Sequence, residues 1–123
     1  MIASGVYYLP NGMIFLKDSA PSLVPISYEN RVFLHNETCI SVRAKHEQEG
    51  KCRVALGPIG AMALPREPDF RKAIDVPTRK LIIMLVPRLT VLTLPVMATR
   101  VEASIWLNDP NEADDVVIGV EPV

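Results

Sequence analysis

The sequence has few cysteines, few aromatic residues, no excess of basic charge and no unbroken apolar run of membrane-spanning length. Two cysteines, Cys39 and Cys52, are too few for a disulfide scaffold. Thirteen Lys and Arg against fourteen Asp and Glu leave a net charge of −1, so no general basic field draws the chain to nucleic acid or a membrane. The stretch from Met1 to Phe15 lacks a basic region followed by an apolar run and a cleavage site. No signal peptide is read there, and a soluble cytoplasmic protein is expected. The most apolar segment, Leu81 to Ala98, is broken by Pro87, Arg88 and Pro95. An arginine at the centre of a span costs about 2.5–3.5 kcal/mol, so this segment is not a transmembrane helix. Internal repeats and low-complexity tracts are also missing, which excludes propellers and solenoids.

Proline is plentiful instead. Eleven prolines, at 10, 21, 25, 58, 65, 68, 77, 87, 95, 110 and 122, cut 123 residues into short pieces. Proline in a helix interior costs roughly 3 kcal/mol, so few windows hold a helix of three turns. The pieces are rich in β-branched and apolar residues, and several alternate with period two. In Cys39–Lys45, Ile40, Val42 and Ala44 share one face; in Val101–Asn108, Val101, Ala103, Ile105 and Leu107 do. Further strands are expected at Gly5–Leu9, Met13–Leu16, Ser22–Tyr28, Arg31–Leu34, Lys51–Leu56, Arg71–Val76, Arg79–Val86, Leu89–Leu94 and Asp115–Val120. The apolar run Leu81–Val86 suits a central strand covered on both faces. Pro10-Asn11-Gly12 and Glu47–Gly50 read as turns, and Gly57–Gly60 and Pro65–Pro68 as loops. The fold expected for residues 1–123 is one all-β domain, an antiparallel β-sandwich of about eight to ten strands, with a barrel as the alternative.

The turn at 47–50 predicts a hairpin in which Ile40, Val42 and Ala44 pair with Leu56, Val54 and Cys52. Cys52 then points into the core and Cys39 away from it, free to react with a thiol reagent.

Candidate chemistry is sparse. His35, Cys39, His46 and Cys52 are the right types for zinc, but no close cysteine pair is present and the register separates the thiols. No metal or cofactor is expected. Nothing around Cys39 resembles a nucleophile signature, and no enzyme is expected. Asp109-Pro110-Asn111-Glu112-Ala113-Asp114-Asp115 lacks the spacing of a calcium loop and starts as a turn. Asn36-Glu37-Thr38 has the glycosylation pattern but reads as a loop. Arg43, Lys45, Lys51 and Arg53 gather on one face of the expected hairpin without the interleaved aromatics that single-strand binders need. The charge asymmetry stands out more. Residues 101–123 carry six carboxylates and no base, −6, while the first hundred carry +5. Trp106 falls on the polar Glu102–Ser104 face beside this loop. The candidate partner-binding residues are therefore Trp106, Asp109, Glu112, Asp114 and Asp115, an acidic patch around an aromatic anchor facing another protein.

Phe15-Leu16-Lys17-Asp18-Ser19-Ala20-Pro21 follows an early strand. Ile40-Ser41-Val42, an apolar strand, Arg71-Lys72-Ala73-Ile74-Asp75-Val76-Pro77, and a Trp-bearing strand with an acidic loop come after it. This order resembles the competence protein J (ComJ-like) family, small proteins that inhibit a DNA-entry nuclease. The resemblance implies a non-enzymatic protein-binding module whose partner is a nuclease. It supplies no contact residues here, and the stretch after Pro21 and residues 57–71 depart from the pattern. Two other readings stand beside it: a small-ligand-binding sandwich with Tyr7, Tyr8 and Tyr28 lining a cleft, and a structural subunit of a homo-oligomer sealed through an edge strand.

Overall fold

The computed structural model describes residues 1–25, 31–86 and 88–123. Ten strands follow in chain order: β1 (Ala3–Tyr7), β2 (Met13–Asp18), β3 (Phe33–His35), β4 (Cys39–Arg43), β5 (Cys52–Pro58), β6 (Phe70–Asp75), β7 (Lys80–Leu85), β8 (Leu89–Pro95), β9 (Arg100–Leu107) and β10 (Asp115–Pro122). The helical content of the described residues is one 3-10 turn at Pro10–Gly12 and one four-residue helix, α1 (Ile59–Met62). The strands form two sheets, in the orders β1-β5-β10-β9-β6 and β3-β4-β2-β7-β8. Every pairing is antiparallel except that of β5 with β10. The chain is an all-β sandwich with no closed barrel.

The period-two patterns place their apolar sets between the sheets. Ile40 and Val42 lie opposite Leu16 and Ile14 in one sheet. Ile105 and Leu107 lie opposite Ile118 and Val116 in the other. All eight are buried in one core, together with Val54, Leu56, Leu81 and Ile83. On β7 the intervening Ile82 is buried as well, as its unbroken apolar run requires.

Two expectations need correction. β4 and β5 do not form a hairpin, because they belong to different sheets; β5 pairs with β1 and β10 instead. Residues 44–51 arch across the end of the sandwich, with the turn closed by Glu49 N donating to His46 O at 2.8 Å. Alternation specifies which residues turn inward, and a hairpin and an arch satisfy it equally. The turn read at Pro10-Asn11-Gly12 forms, with Asn11 and Gly12 both at positive φ (59° and 65°), and it too joins strands of opposite sheets, β1 and β2. The strand expected at Ser22–Tyr28 is not formed at residues 22–25; residues 26–28 lie outside the described residues.

The strand orders have a further consequence. β5 and β6 are separated in their sheet by β10 and β9, and β2 and β3 by β4. Their connections must therefore cross a sheet. Residues 59–69 cross the outer face of the first sheet. α1 lies on Gly119, where a Cβ would come within 3.1 Å of the Ile59 backbone. Residues 19–25 lie over the outer face of the second sheet. They are held there by Ser41 Oγ donating to Pro25 O (3.0 Å) and Asn36 Nδ2 donating to Leu23 O (3.0 Å).

Candidate functional site

The loop from 108 to 114 joins β9 to β10 at the end of the sandwich that also carries the 44–51 arch. Asn108 organises it. Its Oδ1 accepts from the backbone N–H of Asp114 (3.1 Å) and Asp115 (3.0 Å), and its Nδ2 donates to Asp114 Oδ1 (2.6 Å). Asp109 Oδ1 accepts from Asn111 N at 2.9 Å, the local turn that Asp-Pro-Asn favours. Ala113 is 1% exposed and plugs the loop into the core, while Lys45 N donates to its carbonyl at 2.8 Å.

The carboxylates of this loop fall into two groups. Asp115 pairs with Arg53 (2.9 Å) and Asp114 with Lys45 (3.6 Å), so two of the bases singled out in the sequence neutralise two of its acids. Asp109 and Glu112 are exposed and have no ion-pair partner among the described residues. Glu112 borders a polar depression shared with Asn11, Arg43, His46, Glu49 and Asn111. The outward-directed negative charge at this end is thus Asp109 and Glu112, with Glu47 and Glu49 from the arch.

Trp106 does not belong to that surface. It does lie on the Glu102–Ser104 face, as the alternation indicates, but that face is covered there by residues 63–69 and Trp106 is 3% exposed. Its Nε1 donates to Arg66 O at 2.9 Å. Arg66 Nη2 donates to Leu107 O (2.7 Å), and Asp69 Oδ2 accepts from Leu107 N (2.7 Å). Asp69 N donates to Ile105 O (2.8 Å). Arg66 and Asp69 thereby continue the β9 ladder beyond the start of β6. Nothing in the local pattern of Pro65–Pro68 announced this role.

Cys39 is corrected in the same way. It points away from the core, as its alternation requires, yet it is fully buried on the strap-covered side of β4. Burial pushes both thiols up to about 12, opposed at Cys39 by the Lys17 charge. The thiolate is the reactive form. Both cysteines are therefore expected to react slowly with a disulfide reagent at neutral pH, each released on unfolding. A fast native phase of one thiol equivalent would show that Cys39 is accessible.

His35, Cys39, His46 and Cys52 are not brought together. His35 tilts against the Phe70 ring (centroids 5.8 Å apart), and His46 Nδ1 accepts from Gln48 N (3.1 Å) in the arch. Cys52 lies in the sheet opposite to Cys39. The tyrosine cleft is not assembled either. Tyr7 closes the gap to β8, its hydroxyl donating to Val91 O at 3.4 Å, while Tyr8 is exposed beneath the Lys51 ammonium, 5.3 Å from the ring centre. Tyr28 lies outside the described residues. At the opposite end, an apolar cavity of about 210 Å³ is bordered by Pro58, Leu94, Met97, Val101 and Val120. That is below the roughly 300–1,000 Å³ of typical small-molecule sites. No helix among the described residues is long and apolar enough to cross a membrane.

A second polar centre, quoted in the sequence only as part of a resemblance, is the Lys17–Asp18 pair at the end of β2. Both residues are nearly fully buried. Lys17 Nζ donates to the carbonyls of Asp18 and Ala20, each at 2.8 Å. Asp18 Oδ1 accepts from Thr78 N (3.1 Å) and Thr78 Oγ1 (2.6 Å), and Oδ2 accepts from Ala20 N (3.0 Å). The pair ties the start of the 19–25 strap to the β6–β7 turn.

The architecture so far defines a small two-sheet β-sandwich with both long crossovers strapped over its outer faces and its acidic loop at one end. Among solved structures, the chain is similar to ComJ, inhibitor of the DNA degrading activity of NucA, from Bacillus subtilis. The likeness covers 100% of this chain and 99% of that one, with a TM-score of 0.69 at 9% sequence identity. No protein-family model matches the chain, and no curated protein matches it. The competence protein J resemblance is thus supported, and at 9% identity the likeness is one of fold.

Proposed function

We propose that this chain is a non-enzymatic inhibitor that binds a nuclease. The observation that carries the reading is the likeness of fold from end to end, 100% of one chain against 99% of the other, to a protein described as a nuclease inhibitor. The charge pattern adds to it. A nuclease has a basic cleft for its polyanionic substrate, and an inhibitor blocks such a cleft by presenting carboxylates to it. Close charge pairs across an interface of this kind are worth about 1.5–7 kcal/mol. Asp109 and Glu112 are the two carboxylates of the loop free to do so, whereas Asp114 and Asp115 are already engaged by Lys45 and Arg53.

The test is a DNA-degradation assay in which a NucA-type nuclease from the same genome is titrated with the purified protein. Degradation is expected to stop near one equivalent. Undiminished degradation at a large excess would overturn the reading. For the contact residues, Asp109→Asn with Glu112→Gln is expected to leave the melting temperature within a degree or two, since exposed charges contribute about 0–1 kcal/mol. The same change is expected to slow association with the nuclease about tenfold or more at low salt, with the difference shrinking as salt screens the parent. Association as fast as the parent at low salt would remove the acidic loop from the interface.

A further inference from the structure

Four strands end the two sheets: β1 and β6 in one, β3 and β8 in the other. An edge strand shows unpaired backbone groups to solvent, and monomeric proteins blunt such edges with charge, brevity or a bulge. Three of the four are blunted here. β6 carries Arg71, Lys72 and Asp75. β3 is three residues long. β8 carries a bulge where Ile83 and Met84 face Leu92 and Thr90, leaving Val91 without an opposite residue.

β1 has none of these devices. From Met1 to Leu9 the sequence contains no charged side chain and no proline. The residues of β1 that face the core side, Ala3, Gly5 and Tyr7, lie opposite Leu56, Val54 and Cys52. The alternate set, Ile2, Ser4, Val6 and Tyr8, faces out. Its three large members are 53%, 59% and 56% exposed. A solvent-facing strand position is normally polar, and here three of the four positions on one face, Ile2, Val6 and Tyr8, carry large apolar or aromatic side chains.

We propose that β1 is a dimerisation strand, pairing antiparallel with β1 of a second copy about a two-fold axis at Gly5. The strand is self-complementary in that register. Ile2 faces the partner's Tyr8, and Ser4 faces the partner's Val6, so each terminal apolar side chain of the stripe covers another. Two-fold pairing also sets residues near the axis against their own copies, where any charge would meet the same sign; the absence of charge along β1 removes that penalty. Lys51, which lies over Tyr8, sits at the far end of the strand and meets the partner's Ile2 end rather than the partner's Lys51. The inner side of β1 is already filled, because Tyr7 turns toward β8. Pairing would join two five-stranded sheets into one of ten strands, at the usual limit of about ten for a twisted open sheet.

Sedimentation velocity across micromolar to millimolar concentrations tests this. The parent chain is expected to shift from the monomer toward twice its mass, and Val6→Lys to remain a monomer with an unchanged thermal melt. The register is tested by mixing Ser4→Cys chains with Val6→Cys chains under mild oxidant. A covalent dimer containing one of each is expected in excess over either self-pair, and the native cysteines do not compete because both are buried. A parent that stays monomeric throughout overturns the proposal, even if Val6→Lys then weakens nuclease binding. A dimer that survives Val6→Lys, or a mixture that cross-links no better than its parts, overturns it too.

Discussion

Trp106→Ala is expected to lower the stability of the fold by about 3–5 kcal/mol, the usual cost of emptying a buried tryptophan site. For a domain of this size that corresponds to a fall in melting temperature on the order of 10–20 °C. The cost has two origins. The indole fills the space between the outer side of β9 and residues 63–69, and its Nε1 satisfies the Arg66 carbonyl at 2.9 Å. Trp106→Phe separates them: it keeps most of the apolar area and leaves that carbonyl unpaired, at roughly 1–3 kcal/mol. Both changes loosen residues 63–69, so cleavage after Arg66 by trypsin is expected to quicken before global unfolding. Because Trp106 is the single tryptophan, fluorescence reads its environment directly: blue-shifted in the folded parent and red-shifted on unfolding. Nuclease binding per folded molecule is expected to stay intact. A melting temperature within two degrees of the parent, with binding lost, would make Trp106 an interface residue after all.

Asp18→Ala is expected to be comparably damaging. It removes the acceptor of three hydrogen bonds, two of them from the backbone N–H groups of Ala20 and Thr78. It also leaves the buried Lys17 ammonium without its neighbouring negative charge. Leaving a buried donor without its acceptor costs about 1–3 kcal/mol, and three donors lose theirs here. The same carboxylate makes the fold acid-sensitive. Burial raises the Asp18 pKa, but the Thr78 hydroxyl, the Ala20 and Thr78 N–H groups and the Lys17 charge outweigh it and hold it below the ordinary value. A carboxyl depressed in the folded state contributes stability that is fully present above its unfolded pKa, about 3.9, and disappears as pH falls through the lower folded value. Urea midpoints are therefore expected to drop below about pH 4 in the parent, and part of that slope to vanish in Asp18→Asn. Parallel profiles for parent and variant would show that Asp18 does not carry the acid response.

Of the candidate site, the turn that opens the acidic loop was legible from residue types alone. Asp-Pro-Asn at 109–111 forms its turn because Asp109 Oδ1 bonds the Asn111 N–H, a purely local event. The pairing of Asp114 with Lys45 and of Asp115 with Arg53 was not legible. Those partners are 69 and 62 positions apart in the chain and meet only because β5 and β10 run side by side. Asn108, which gathers the loop, carries no sequence signal beyond its place after an alternating strand. Arg66 and Asp69 were hidden for the same reason: their partners are β9 backbone groups some forty residues away.

By itself the sequence determined the all-β class, the approximate positions of the strands apart from the one expected at Ser22–Tyr28, and the side of the alternating strands on which their residues fall, because proline spacing and period-two alternation are local properties of the backbone. It placed Trp106 opposite Leu107 and Cys39 opposite Ile40 across the plane of their sheets, and both placements hold. Tertiary structure alone decided what covers those outward sides. With β10 and β9 between β5 and β6, and β4 between β2 and β3, each connection has to pass over a sheet face. Residues 63–69 close over Trp106 on one face, and Cys39 is buried on the other, where residues 19–25 cross. Strand order depends on which sheet each arch enters, and no local pattern records it, so a side chain aimed at solvent by its own strand ends up buried by a segment far along the chain.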